Sequence, residues 1–107
     1  MKDFSKYSAI IIGAGDATGS AITKKFASHG YKVCPARRPR NTDKLDELSS
    51  EIIKSGGWSK GFGVDARDED SIVEFFKEVE EEVAPIDVVV FNPGADVFFP
   101  IEETTSR

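Results

Sequence analysis

Four consecutive apolar residues, Ala9-Ile10-Ile11-Ile12, run directly into a glycine-rich turn, Gly13-Ala14-Gly15-Asp16-Ala17-Thr18-Gly19. An uninterrupted apolar run stopped by glycines is the pattern of a strand buried on both faces, as in parallel sheets. Parallel neighbours need a crossover, and a helical pattern follows at once. Over Ser20 to His29 apolar Ala21, Ile22 and Phe26 recur at helical spacing, and Gly30 is placed to stop the helix. A strand, a glycine turn and a helix in that order confine the chain to α/β architectures.

The remainder repeats the theme. Tyr31 to Ala36 reads as a second strand, with Pro35 setting its end nearby. A helix is predicted over 43–55, capped by Asn41 or Thr42, with Leu45, Leu48 and Ile52 on one face and Gly56-Gly57 ending it. Trp58 to Val64 reads as one third strand, weakened by two glycines. Ile72, Phe75, Phe76, Val79 and Val83 mark a third helix, closed by Pro85, and Ile86 to Phe91 is the clearest strand. Polar Met1 to Ser8 is expected to fray. The order βαβαβαβ predicts a parallel sheet with right-handed crossovers.

At 107 residues the chain holds one domain, and 39% hydrophobic with 31% charged residues is a soluble, globular composition. Nineteen acidic against 14 basic side chains, a net charge of −5, argue against a nucleic-acid partner. The single Cys34 has no internal disulfide partner, and no Cys/His cluster is spaced for zinc. The apolar run is too short for a membrane span or a signal segment, so a reducing, cytoplasmic setting is the expectation.

The glycine turn is where chemistry can enter. Backbone amides at a helix N-terminus, with its partial positive charge, suit a pyrophosphate, and glycines let it approach. The strict Gly-x-Gly-x-x-Gly spacing fails, because Thr18 takes the sixth position and Gly19 follows. The alternative is a tight turn that binds nothing. After the second strand of a dinucleotide fold an acid selects NAD and an arginine accommodates the 2′-phosphate of NADP. No acid lies between Lys24 and Arg40, whereas Arg37, Arg38 and Arg40 follow the strand in quick succession. A solvated basic loop is the plainer reading of those arginines, and Asp16 would repel a 2′-phosphate. On balance NADP is favoured over NAD.

These residues together resemble the short-chain dehydrogenase/reductase family. Its Thr-Gly-x-x-x-Gly-x-Gly motif is similar to Ile12 through Gly19, with Ile12 for the threonine and Ala17 for the middle glycine. Asp65-Ala66 resembles the family's Asp-Val pair, whose carboxylate accepts from the adenine amino group. A cap or loop acid ahead of the Asp68-Glu69-Asp70 helix start is the alternative there. Phe91-Asn92-Pro93-Gly94 resembles Asn-Asn-Ala-Gly, with only Asn92 and Gly94 carried over. The likeness spans roughly Ser8 to Thr105. It implies a Rossmann-type doubly wound parallel sheet of four strands, order 3-2-1-4, over one domain, 1–107. The implied cofactor set is Gly13, Gly15 and Gly19 at the pyrophosphate, with Asp16, Ala17 and Thr18 in the same loop, Arg37 and Arg38 at the 2′-phosphate, Asp65 at adenine with Ala66 next to it in the motif, and Asn92 and Gly94 beside the ribose.

Family members are similar in using a serine and a Tyr-x-x-x-Lys on later segments, to reduce carbonyls or oxidise alcohols by hydride transfer. The tyrosines here, Tyr7 and Tyr31, lack a lysine four residues on, so no catalytic residue is assigned. Pro100 to Thr105 resembles the start of the next helix. The chain is therefore expected to be the cofactor-binding half of a longer reductase, with an open sheet edge that invites self-association. A non-catalytic nucleotide-binding or interaction module is the second reading. A flavodoxin-type signalling domain would want acids where the basic loop stands. His29, Cys34, the Glu80-Glu81-Glu82 run and Trp58 are read respectively as a helix-end residue, a core residue, a solvated face and a packing residue.

Overall fold

The strand that begins at Ser8 is buried along its whole length, and the sheet is built outward from it. The computed structural model describes residues 3–14, 17–38 and 43–92. A single 3-10 turn, Phe4–Lys6, precedes β1 (Ser8–Ile12), α1 (Ala17–Ser28), β2 (Lys32–Arg37), α2 (Asp43–Lys54), β3 (Trp58–Ser59), β4 (Phe62–Gly63), α3 (Glu69–Glu82) and β5 (Ile86–Phe91). All pairings are parallel, in the order β3-β2-β1-β5, with β4 also against β2. The four sheet positions are therefore those expected, 3-2-1-4, with β3 and β4 sharing the outer one.

Strand alternation divides the core into two layers. Ala9, Ile11 and Val33 face α1 and α2, packing with Leu45, Leu48, Ile52, Ile22 and Phe26. Ile10, Ile12, Cys34 and Ala36 face α3, packing with Phe62, Val64, Phe75 and Val79. Helices thus cover both faces, the doubly wound arrangement. Each fully buried Leu, Ile or Phe in these layers contributes about 1.5–3 kcal/mol over leaving it exposed. Val89 and Phe91 of β5 remain 46% and 42% exposed, and among the described residues β5 pairs only with β1.

The expected third strand is broken in two, and the cause lies on its neighbour. The carbonyls of Val33 and Arg37 accept from Lys60 N (3.2 Å) and Val64 N (2.6 Å), so the odd positions of β2 face β3 and β4. Pro35 lies between them and has no N–H to give. The ladder fails at Lys60-Gly61, opposite this gap. Pro35 does not end β2, which continues to Arg37, because its ring nitrogen faces that break.

Two further expectations are corrected. Residues 3–8 are pinned rather than frayed: Asp3 caps the 3-10 turn, Phe4 lies 4.9 Å from the Tyr31 ring, and Ser8 is buried in β1. Helix α1 starts at Ala17, earlier than Ser20. Trp58 opens β3 and is 38% exposed. The helix stops at Gly30 and Gly56 fall as expected, while the Asn41 or Thr42 cap lies outside the described residues. Among the described residues no helix is long and apolar enough to cross a membrane.

Candidate functional site

The chain winds outward from β1 through β2 to β3 and β4, then returns to place β5 on the other side of β1. At such a reversal the loops leaving the two central strands diverge and open a crevice at the strands' C-terminal ends. Gly13 and Ala14 leave β1 here, and Asn92 leaves β5. Asn92 N donates to the Ile12 carbonyl (2.7 Å) and its side-chain Nδ2 to the Gly13 carbonyl (3.2 Å), so the two strand ends are tied together.

The loop after β1 turns sharply. Gly13 has φ +86°, a left-handed conformation costly for any side chain. Its N–H and that of Ala14 both donate to Ala36 O of β2 (2.8 and 3.1 Å). These two amides hold the loop to the sheet, and a ligand must look further on, to the first turn of α1. That turn lies hard against the loop: a Cβ on Gly19 would stand 2.5 Å from Gly13 O and 2.7 Å from Ala14 Cα. Ser20 Oγ donates to Ala14 O (3.2 Å), and buried Thr23 donates to Gly19 O (2.8 Å), completing the brace. The close approach holds the N-terminus of a 12-residue helix at the crevice, with Ala17 and Thr18 exposed on its first turn and no acid among its described first residues. The leading amides of a helix have no intrahelical acceptor and carry the positive end of its dipole. The donor set therefore fits a pyrophosphate.

The ends of β2 and β4 meet next to this crevice. Arg37 pairs with Gly63 across the sheet, Arg37 is half-buried and Arg38 exposed, and neither forms a salt bridge with another described residue. Asp65 stands just past β4. Its Oδ1 accepts from Arg67 N (3.0 Å) and Arg67 Nε (3.4 Å), and its own N–H donates to Ser71 Oγ (3.2 Å). The Arg67 backbone hydrogen bond holds this carboxyl below the usual range, and the Arg67 and Arg38 charges add to it. Asp65 is thus a loop acid and not the helix cap. The cap is Asp68, whose carboxylate accepts from Asp70 N (3.0 Å) and Ser71 N (3.4 Å). Ala66 is half-buried and packs against the α3 layer.

Of the residues singled out from the sequence, Gly13, Ala17, Thr18, Gly19 and Asn92 gather at the crevice, and Arg37, Arg38 and Asp65 form its outer end. Gly15, Asp16 and Gly94 lie outside the described residues. Sequence reasoning missed Arg67, although an arginine two residues after a loop aspartate is the spacing of an Asx turn. It also missed the Ser20–Ala14 and Thr23–Gly19 bonds, which carry no local signal. Tyr31 donates to Asp87 Oδ2 (2.6 Å) at the opposite end of the strands. A groove between α1 and α2, bordered by Lys24, Ser28, Glu51 and Ser55, contains none of the candidate residues.

A strand-order reversal beside a glycine-braced helix N-terminus places the chain in the class of doubly wound, Rossmann-like α/β folds. The short chain dehydrogenase family matches residues 7–107, and the chain belongs to that family. The 2,3-dihydro-2,3-dihydroxybenzoate dehydrogenase of Bacillus subtilis is 33% identical over 86 residues, which are 80% of this chain and 32% of that protein. The crystal structure of a short-chain dehydrogenase from Rhodopseudomonas palustris superposes with a TM-score of 0.79 at 43% identity, over 94% of this chain and 46% of that one. A metagenomic short-chain oxidoreductase crystallised in complex with NADP gives 0.78 at 30% identity, over 88% and 42%. The chain spans about a third of the length of the curated relatives it matches.

Proposed function

We propose that this chain binds NADP(H) and forms the cofactor-binding portion of an oxidoreductase that reduces carbonyls or oxidises alcohols. The observation that carries the reading is the contact of Gly19 with Gly13 and Ala14, which leaves no room for a Cβ and sets the α1 N-terminus on the reversal between β1 and β5. The first-turn amides of α1 take the pyrophosphate, with Gly15 and Asp16 as further proposed members of the loop. Asn92, tied to the Gly13 carbonyl, and Gly94 stand beside the ribose. Asp65 accepts from the adenine amino group, with Ala66 behind it, and Arg37 and Arg38 take the 2′-phosphate by paired N–H donors.

The bound nicotinamide supplies the hydride. Protonating the alkoxide that results is work for an acid. Neither tyrosine of this chain is placed for it: Tyr7 directly precedes β1, and Tyr31 is bonded to Asp87 at the far end of the sheet. The complex of a relative with NADP supports the cofactor class. The absence of acids from Lys25 to Pro39 supports the phosphorylated form. Substituting Arg37→Ala and Arg38→Ala tests it: each should weaken NADPH while leaving NADH nearly unchanged, and equal loss of both would overturn the assignment.

A further inference from the structure

We infer that Arg67 is a positioning residue for the adenosine end of the cofactor, holding Asp65 Oδ1 and offsetting its charge so that a 2′-phosphate is tolerated beside Arg38. The inference rests on the NADP(H) reading above and adds a residue that the reading does not use. β2 and β4 are paired in parallel at Ala36–Phe62 and Arg37–Gly63, and Val64 N donates to Arg37 O at 2.6 Å. Arg38 and Asp65 therefore leave adjacent strand ends one and two residues beyond the last pair. A carboxylate at that place is useful to adenine, whose amino group needs an acceptor, but it repels a phosphate on the neighbouring ribose.

Arg67 resolves this conflict by geometry. Its N–H and Nε converge on the same oxygen, Oδ1, at 3.0 and 3.4 Å, which leaves Oδ2 for the adenine amino group. Its side chain is 76% exposed, so the guanidinium is held by Asp65 and not by packing. Two cations, Arg67 and Arg38, then act on one acid. The lowering of the Asp65 carboxyl by Arg67 and Arg38 agrees with this arrangement.

The test is NADPH and NADH titration of the unmodified chain, R67A, D65N and the R67A/D65N pair, with Asp65 titrated by NMR in R67A. The exposed pair predicts that R67A weakens NADPH by about fivefold and NADH by less than about twofold. Adding D65N to R67A should recover part of the lost NADPH affinity, because the uncompensated charge is gone while the amide oxygen can still accept from adenine. The Asp65 carboxyl should titrate higher in R67A, and R67K should retain most of the NADPH preference. Equal weakening of both nucleotides by R67A would mean a merely structural loop contact and overturn the inference. No recovery in the pair would mean that Arg67 meets the phosphate directly, which also overturns it. If the unmodified chain binds neither nucleotide, the NADP(H) reading itself fails and this inference falls with it.

Discussion

The side chain of Asn92 donates to the carbonyl of Gly13 across 79 residues of sequence, at 3.2 Å. This bond closes the base of the crevice, since Gly13 begins the loop that α1 rests on. Its companion, Asn92 N to Ile12 O at 2.7 Å, extends the β1–β5 ladder by one rung and survives any side-chain change. Asn92→Ala is therefore expected to cost about 1 kcal/mol of stability. It should also reduce NADPH affinity by about fivefold, because the loop carbonyl is no longer held. Urea denaturation and nucleotide titration measure the two effects, and Asn92→Asp, which cannot donate, should resemble the alanine variant.

Gly19→Ala tests the brace between the loop and α1. The added methyl would lie 2.5 Å from Gly13 O and 2.7 Å from Ala14 Cα, both backbone atoms that cannot swing aside. Forced displacement of this kind costs about 1–3 kcal/mol. A domain of this size loses about 4–8 °C of Tm per kcal/mol, so the melt should shift clearly. Nucleotide affinity should fall with it, and a variant with unchanged Tm and affinity would contradict the packing described.

Tyr31→Phe separates stability from binding. Its hydroxyl donates to Asp87 Oδ2 at 2.6 Å, across the bulge where Asp87 is the extra residue between the Ser8–Ile86 and Ala9–Val88 pairs. A bond to a charged acceptor contributes about 1.5–3 kcal/mol. The loss should appear in denaturation, whereas NADPH titration should be unaltered, because this contact is at the opposite end of the strands from the crevice.

Cys34 makes stability depend on alkaline pH. Burial in the α3 layer pushes its thiol from 9.0 to about 12. Between those values the unfolded chain releases a proton that the folded chain keeps, so folding stability falls as pH rises through that window. The native thiol should resist alkylation at pH 8 and react once urea unfolds the chain. Cys34→Ala should remove this part of the decline between pH 9 and 10, whatever its effect on stability at neutral pH.

What could be read from the residues themselves depended on whether the cause was local. Strand β5 was placed to the residue because Pro85, the Ile86–Phe91 apolar pattern and Asn92-Pro93-Gly94 all act within the segment. The broken third strand was not, because its break is set by Pro35 on a different strand. Thr18 and Gly19 are loop-type residues, so the pattern alone begins α1 at Ser20; in the fold Gly19 joins the helix where only a residue without Cβ fits against Gly13. At Asp65 the distances decide only the cap: Asp68 caps α3, and Asp65 is held in the loop by Arg67. Arg67 belongs to no apolar period, and its one sequence signal is its place two residues after Asp65.

The most direct test of the account is titration of the 107-residue chain with NADPH and, in parallel, NADH, followed by the fluorescence of the reduced nicotinamide. The account predicts saturable binding of both with NADPH the tighter. NADH binding as tightly as NADPH, or neither binding, would contradict it.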